Sequence, residues 1–127
     1  MAKRRMFSTD IVESGAFTAL PPAAQALYFH LGMTADDDGV VSNEKVAMLN
    51  AGAKPRDMEA LLSARFLLRA GRVLVVKHWR KNNYIQSDRY TPSPWQDDLE
   101  GLHVKPDGTY TDHESAELKA FREAVGR

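Results

Sequence analysis

The stretch Ser42-Asn43-Glu44-Lys45-Val46-Ala47-Met48-Leu49-Asn50-Ala51-Gly52-Ala53-Lys54-Pro55-Arg56-Asp57-Met58-Glu59-Ala60-Leu61-Leu62-Ser63-Ala64-Arg65-Phe66 runs directly into Leu67-Leu68-Arg69-Ala70-Gly71-Arg72-Val73-Leu74-Val75-Val76-Lys77. It reads as helix, turn, helix, hairpin. Ser42 or Asn43 can cap the first helix by accepting a backbone N–H. Val46, Ala47 and Leu49 supply that helix's apolar positions. Gly52 fits the left-handed position past a helix end, and Pro55 suits the first turn of the next helix. Met58, Leu61, Leu62 and Phe66 recur at helical spacing, which predicts a buried stripe. Leu67-Leu68-Arg69 and Val73 to Lys77 flank the glycine-containing turn Ala70-Gly71-Arg72, a hairpin signal.

Working outward, Val40-Val41 predicts a short strand. Ala24, Leu27, Tyr28 and Leu31 predict a helix over 22–34 that opens at Pro21-Pro22. Asp36-Asp37-Asp38-Gly39 ends that helix in a turn. Residues 8–19 predict a further short helix. Downstream, Trp79 to Tyr90 is polar and aromatic, Thr91-Pro92-Ser93-Pro94 breaks regular structure, and 95–111 reads as irregular. Residues 113–125 return to helical spacing through Leu118, Phe121 and Val125. The expected fold is α+β and mainly α. It is a winged helix-turn-helix with a small β-hairpin wing over 1–90, then an extended strap and short C-terminal helix over 91–127. The competing expectation is an unrelated small α+β domain.

The chain has 127 residues, 17 Lys+Arg, 17 Asp+Glu and no cysteine. That length suits one domain with a real core. Without cysteine there is no disulfide framework, thiol nucleophile or thiolate zinc site. The run Val73-Leu74-Val75-Val76 falls far short of the ~20 apolar residues of a membrane span. The basic N-terminus leads into Ser8-Thr9-Asp10 rather than an apolar core, so a soluble, intracellular chain is expected. The neutral total hides a division into net −2 over 1–53, +6 over 54–90 and −4 over 91–127. A basic middle segment permits one phosphate-facing surface; a solvated basic face balanced by an acidic tail is the plainer use of the same charges.

Several separated motifs carry a resemblance. They are Met1-Ala2-Lys3-Arg4-Arg5-Met6-Phe7-Ser8, Ala24-Gln25-Ala26-Leu27-Tyr28-Phe29-His30-Leu31-Gly32-Met33, Ala35-Asp36-Asp37-Asp38-Gly39, Val41-Ser42-Asn43, Lys77-His78-Trp79-Arg80, Asn82-Asn83-Tyr84-Ile85 and Asp88-Arg89-Tyr90. Over about residues 1–95 the chain resembles the N-terminal domain of phage replisome organisers, DnaD-like phage replication initiation proteins. The resemblance implies a winged-helix domain that binds DNA and self-assembles as a homodimer or higher homo-oligomer. It also implies a replication helicase or its loader as partner, and the cytoplasm of a bacterial host cell. Gln86-Ser87 departs from the basic residues that similar proteins often carry there.

The second helix of such a motif would enter the major groove. Lys54 and Arg56 stand at its leading end, although Asp57 and Glu59 in the same turn would repel phosphates. Arg69, Arg72 and Lys77 make the wing basic; charges at that place also blunt an exposed strand edge. Arg80, Lys81 and Arg89 interleave with aromatic residues, a mixture suited to nucleic acid. Trp79, Tyr84, Tyr90 and Trp95 are candidates for an oligomer or partner surface, where aromatic residues are enriched; core packing is the other use of Trp79 and Tyr84. The irregular stretch from Tyr90 to Trp95 is expected as a strap to a neighbouring subunit. The acidic residues after Tyr90 could lie over the basic surface and compete with DNA.

No catalytic, cofactor or metal pattern emerges. The spacing of Asp36-Asp37-Asp38-Gly39 fails the calcium-loop pattern, with Thr34 and Lys45 at ligand positions. There is no phosphate-cradling glycine loop and no nucleophile elbow. His30 reads as structural, and Asp97, Asp98 and Glu100 read as solvated. The expected function is DNA-binding and scaffolding in phage or prophage replication initiation. The alternatives are an oligomerisation module that never touches DNA and a prophage transcription regulator.

Overall fold

The computed structural model describes residues 3–112; the helix expected over 113–125 lies outside them. Helix α3 (Pro22–Thr34) is the central element. Pro22 starts it where a missing N–H costs nothing. Ala24, Leu27, Tyr28, Leu31 and Gly32 are buried along one side. Gly32 has no side chain because Phe7 lies there: a Cβ would sit 2.6 Å from the Phe7 ring. Phe7, Phe17, Tyr28, Phe29 and Phe66 meet at 5.0–6.0 Å between ring centroids, mostly edge-to-face. That geometry is the favoured one for aromatic quadrupoles.

Ahead of α3, residues 8–19 form two one-turn helices, α1 (Thr9–Val12) and α2 (Gly15–Thr18), rather than one. The break has a local cause. The Ser14 hydroxyl donates to the Ile11 carbonyl at 2.7 Å and accepts the Phe17 N–H at 3.2 Å, so it ends one turn and caps the next.

After the aspartate turn come β1 (Val40–Val41), α4 (Glu44–Ala51) and α5 (Pro55–Ser63). Both helices pack against α3. Gly52 takes the left-handed conformation expected of it, with φ +65°. Asn43 occupies the N-cap of α4 but its side chain makes no capping bond. The buried side of α4 also differs from the expected one. Ala47 is buried, with Met48 and Ala51 packed against the core, while Val46 and Leu49 are 42% and 80% exposed. The spacing allowed either stripe; small Ala47 and Ala51 let α4 approach α3 closely.

Strands β2 (Leu67–Ala70) and β3 (Val73–Val76) form the expected hairpin, closed by Gly71 and Arg72, with Ala70 opposite Val73. Strand β3 is central in an antiparallel sheet ordered β1-β3-β2, with Val40 opposite Val75. All four of its residues are buried. Lys77 lies just past the strand. Helix α6 (Trp79–Asn82) follows. Residues 95–111 are not wholly irregular: β4 (His103–Val104) and β5 (Tyr110–Thr111) pair as a second small antiparallel hairpin. The described residues thus form an α+β fold of six helices with small antiparallel sheets. None of these helices is long and apolar enough to cross a membrane.

Candidate functional site

Two clusters of charged groups organise the surface, and both join the 90–112 strap to the body. The first is the aspartate turn. Asp36 Oδ1 accepts the N–H groups of Asp38 and Val40 and fixes the turn. Gly39 turns at φ +82°, and Trp79 leaves no room for a Cβ there, which would lie 2.5 Å from the ring, so both the backbone and the space call for glycine. Asp37 pairs with Arg5 at 3.1 Å and accepts the Thr91 N–H, while its carbonyl takes the Trp79 indole N–H at 2.9 Å. Asp38, 7% exposed, accepts from the Tyr90 hydroxyl at 2.7 Å, the Ser93 N–H at 2.8 Å and the Gln96 amide at 3.4 Å. Its carbonyl takes the Tyr110 hydroxyl. Burial, then the bond to Asp38, raises the Tyr90 phenol well above its ordinary range.

The second cluster is the β2–β3 hairpin tip. The Arg72 guanidinium grips both Asp98 oxygens, Nη2 to Oδ1 at 2.9 Å and Nε to Oδ2 at 3.1 Å. The Arg72 backbone N–H adds a third bond to Oδ2 at 2.8 Å. The same guanidinium lies 4.9 Å over the Trp95 ring. These bonds hold the Asp98 carboxyl below its usual range. Arg69 makes a forked pair with Glu44 of α4, the shorter contact at 3.0 Å. Arg65, in the left-handed conformation at φ +65°, forks onto Asp112 at 2.7 and 3.2 Å.

The candidate residues are therefore spread over several elements. Lys54 and Arg56 are exposed at the start of α5. With Pro21, Pro22, Ala23, Gly52 and Asp57 they line an open recess of about 520 Å³. Asp57 is turned inward: it is 4% exposed and its Oδ2 takes the Lys54 N–H at 2.8 Å. The repulsion expected from it is thus muted, while Glu59 stays exposed and accepts from Ser63. Lys77 is half-buried, and burial, then Arg65 and Lys105, lowers its ammonium pKa. Arg80 lies 5.7 Å over the Tyr110 ring. Lys81 and Arg89 are exposed.

Three expectations need correction. Trp79 is core, 2% exposed, under the Arg5 guanidinium at 5.0 Å, so its ring is not a surface group. Tyr90 and Trp95 bind their own chain through Asp38 and Arg72, so the strap folds back onto its own chain. Asp98 is not solvated: its side chain is 8% exposed in the pair with Arg72. Tyr84 alone of the four aromatic candidates stands well out, at 82% exposure.

Sequence reasoning missed the docking role of Asn82 and Asn83. Asn82 donates to the Tyr28 hydroxyl and accepts the Ser8 N–H; Asn83 accepts the Met6 N–H and donates to the Met6 carbonyl. Nothing in a local pattern signals such pairings across 54 to 77 residues. His78 is also set apart. Its Nδ1 is buried with no hydrogen-bond partner among the described residues, and burial, then Lys77 and Lys81, lowers its pKa to about 4.

Searches of protein-family models, curated proteins and solved structures found no match to this chain. Its class rests on the fold alone: a small α+β protein whose exposed cations are spread from Lys3 to Lys105 over the N-terminal segment, the helices, the β2–β3 hairpin and the strap.

Proposed function

We propose that the chain is a winged helix-turn-helix module that binds DNA largely by charge and acts as a scaffold in replication initiation of the phage or prophage type. One observation carries the reading: the order α3, β1, α4, α5, β2, β3, with a sheet ordered β1-β3-β2. In that arrangement α5 is the groove-facing helix and the β2–β3 hairpin is the wing. Lys54 and Arg56 stand at the leading end of α5, where base edges and phosphates are met. Asp57 is turned inward onto the Lys54 N–H, which mutes its repulsion at that end.

Fluorescence anisotropy on labelled duplex and single-stranded DNA, repeated at several salt concentrations, tests this. Binding should weaken steeply with salt. Replacing Lys54 and Arg56 together by alanine should weaken it further and flatten the salt dependence. Sharp preference for one duplex would favour a transcription regulator instead.

A second reading has its own observation. Val46 and Leu49 on α4 and Tyr84 after α6 are exposed apolar or aromatic groups. They suit a protein-interaction module that assembles with itself or with a helicase or its loader. No DNA binding at low salt, together with a stable oligomer, would favour that reading.

A further inference from the structure

The hairpin tip holds a ready-made anion site. Gly71, with φ +55°, turns the chain so that the Arg72 N–H and the Arg72 side chain point at one carboxylate. A Cβ on Gly71 would meet the Asp98 carboxyl at 3.0–3.2 Å, so the close approach depends on glycine. Two guanidinium donors in a fork plus one main-chain N–H are the donor set used for phosphate oxygens as well as carboxylates. Trp95 lies against the same guanidinium, 4.9 Å from its central carbon to the ring centroid, a cation–π contact.

The two partners are unequal. Arg72 is 72% exposed on its side chain, whereas Asp98 is 8% exposed. The strap around Asp98 is anchored independently through Asp38, Tyr110 and Arg65. Arg72 can therefore swing outward while Asp98 stays in place.

We propose that Asp98 is an internal stand-in for a DNA phosphate at the wing tip, so that the strap and a phosphodiester compete for Arg72. This rests on the DNA-binding reading above and adds its regulation: the strap sets how strongly the wing engages. An exposed ion pair of this kind is a weak lock, suited to tuning affinity rather than abolishing it.

The test uses the full chain and labelled duplex DNA at low salt. Asp98→Asn keeps an oxygen for the Arg72 N–H but removes the charge. It should bind about fivefold more tightly than the parent, the limit set by a surface pair. Its salt dependence should steepen by about one phosphate contact. Adding Arg72→Ala should erase the gain. Asp97→Asn makes the same change in net charge beside the site and should leave affinity within about twofold. Thermal melts of each variant confirm folding. Equal, salt-dependent binding by the parent and Asp98→Asn would overturn the competition while leaving the DNA reading intact. A gain that survives Arg72→Ala, or that Asp97→Asn matches, would also overturn it. No binding by either the parent or Asp98→Asn would overturn both.

Discussion

The aspartate turn and the hairpin tip both fasten the strap through a carboxylate, yet the two carboxylates meet different partners. Asp38 is buried and accepts from three donors on the strap, none of them charged. Asp98 meets a cation whose side chain is mostly in solvent. Buried hydrogen bonds are expensive to leave unmade, whereas exposed ion pairs are screened and contribute little. The difference teaches that charge does not measure strength here. The buried contacts at the turn, the Arg5–Asp37 pair among them, hold the fold, and the contact of the exposed Arg72 at the tip remains exchangeable.

The largest effect should come from Gly39→Ala. It places a Cβ 2.5 Å from Trp79 in a backbone conformation of φ +82°. Overpacking and strain together should cost about 3 kcal/mol or more, read as a large fall in melting temperature. Next, Asp38→Ala strands the Tyr90 hydroxyl and the Ser93 N–H at once. Chemical denaturation should show a loss of about 2–3 kcal/mol, with Asp38→Asn less damaging. A loss from Asp38→Ala no larger than that from Asp98→Ala would break the comparison.

His78 gives a pH signature between these extremes. Its pKa is about 4 in the fold against 6.5 for the free group. Across that window the unfolded chain binds more protons than the folded one. Stability should therefore fall as pH drops from 6.5 toward 4 and change little more from this group below that. Equilibrium unfolding of His78→Gln against the parent should show a shallower slope in the same window. The lowered carboxyls of Asp98 and Asp107 act at lower pH, so the contributions separate. Smallest of all should be the Arg69–Glu44 pair. A double-mutant cycle on their alanine variants should give an interaction of about 0.5 kcal/mol, shrinking with salt.

Local signals carried most of the fold. Pro22, Gly52, Pro55 and Gly71 mark element ends by backbone chemistry that acts wherever they occur, and the structure places each at such an end. The second hairpin had such a signal as well, in Lys105-Pro106-Asp107-Gly108, where Gly108 turns at φ +89° and proline, aspartate and glycine together favour a turn. It was hidden because its strands are only two residues each. The two stripes of α4 could not be told apart, since choosing needs the distance to α3. The candidate site was less legible. Arg69 and Arg72 read as basic wing residues, but their carboxylate partners lie 25 and 26 residues away. Only the folded chain pairs Glu44 and Asp98 with them. Trp79 and Tyr84 show the same limit from the other side: the sequence left core packing and a partner surface open for both, and only the fold separates them, with Trp79 enclosed by Gly39 and Asp37 and Tyr84 exposed.

The most direct test is a titration of the isotope-labelled chain with a short DNA duplex, followed by backbone amide shifts. The account predicts shifts at Lys54 to Asp57 and at Gly71 to Val73, with the Arg72 amide moving as its side chain leaves Asp98. No shifts at low salt, or shifts confined to Val46 to Leu49 and Tyr84, would contradict it and point to protein assembly instead.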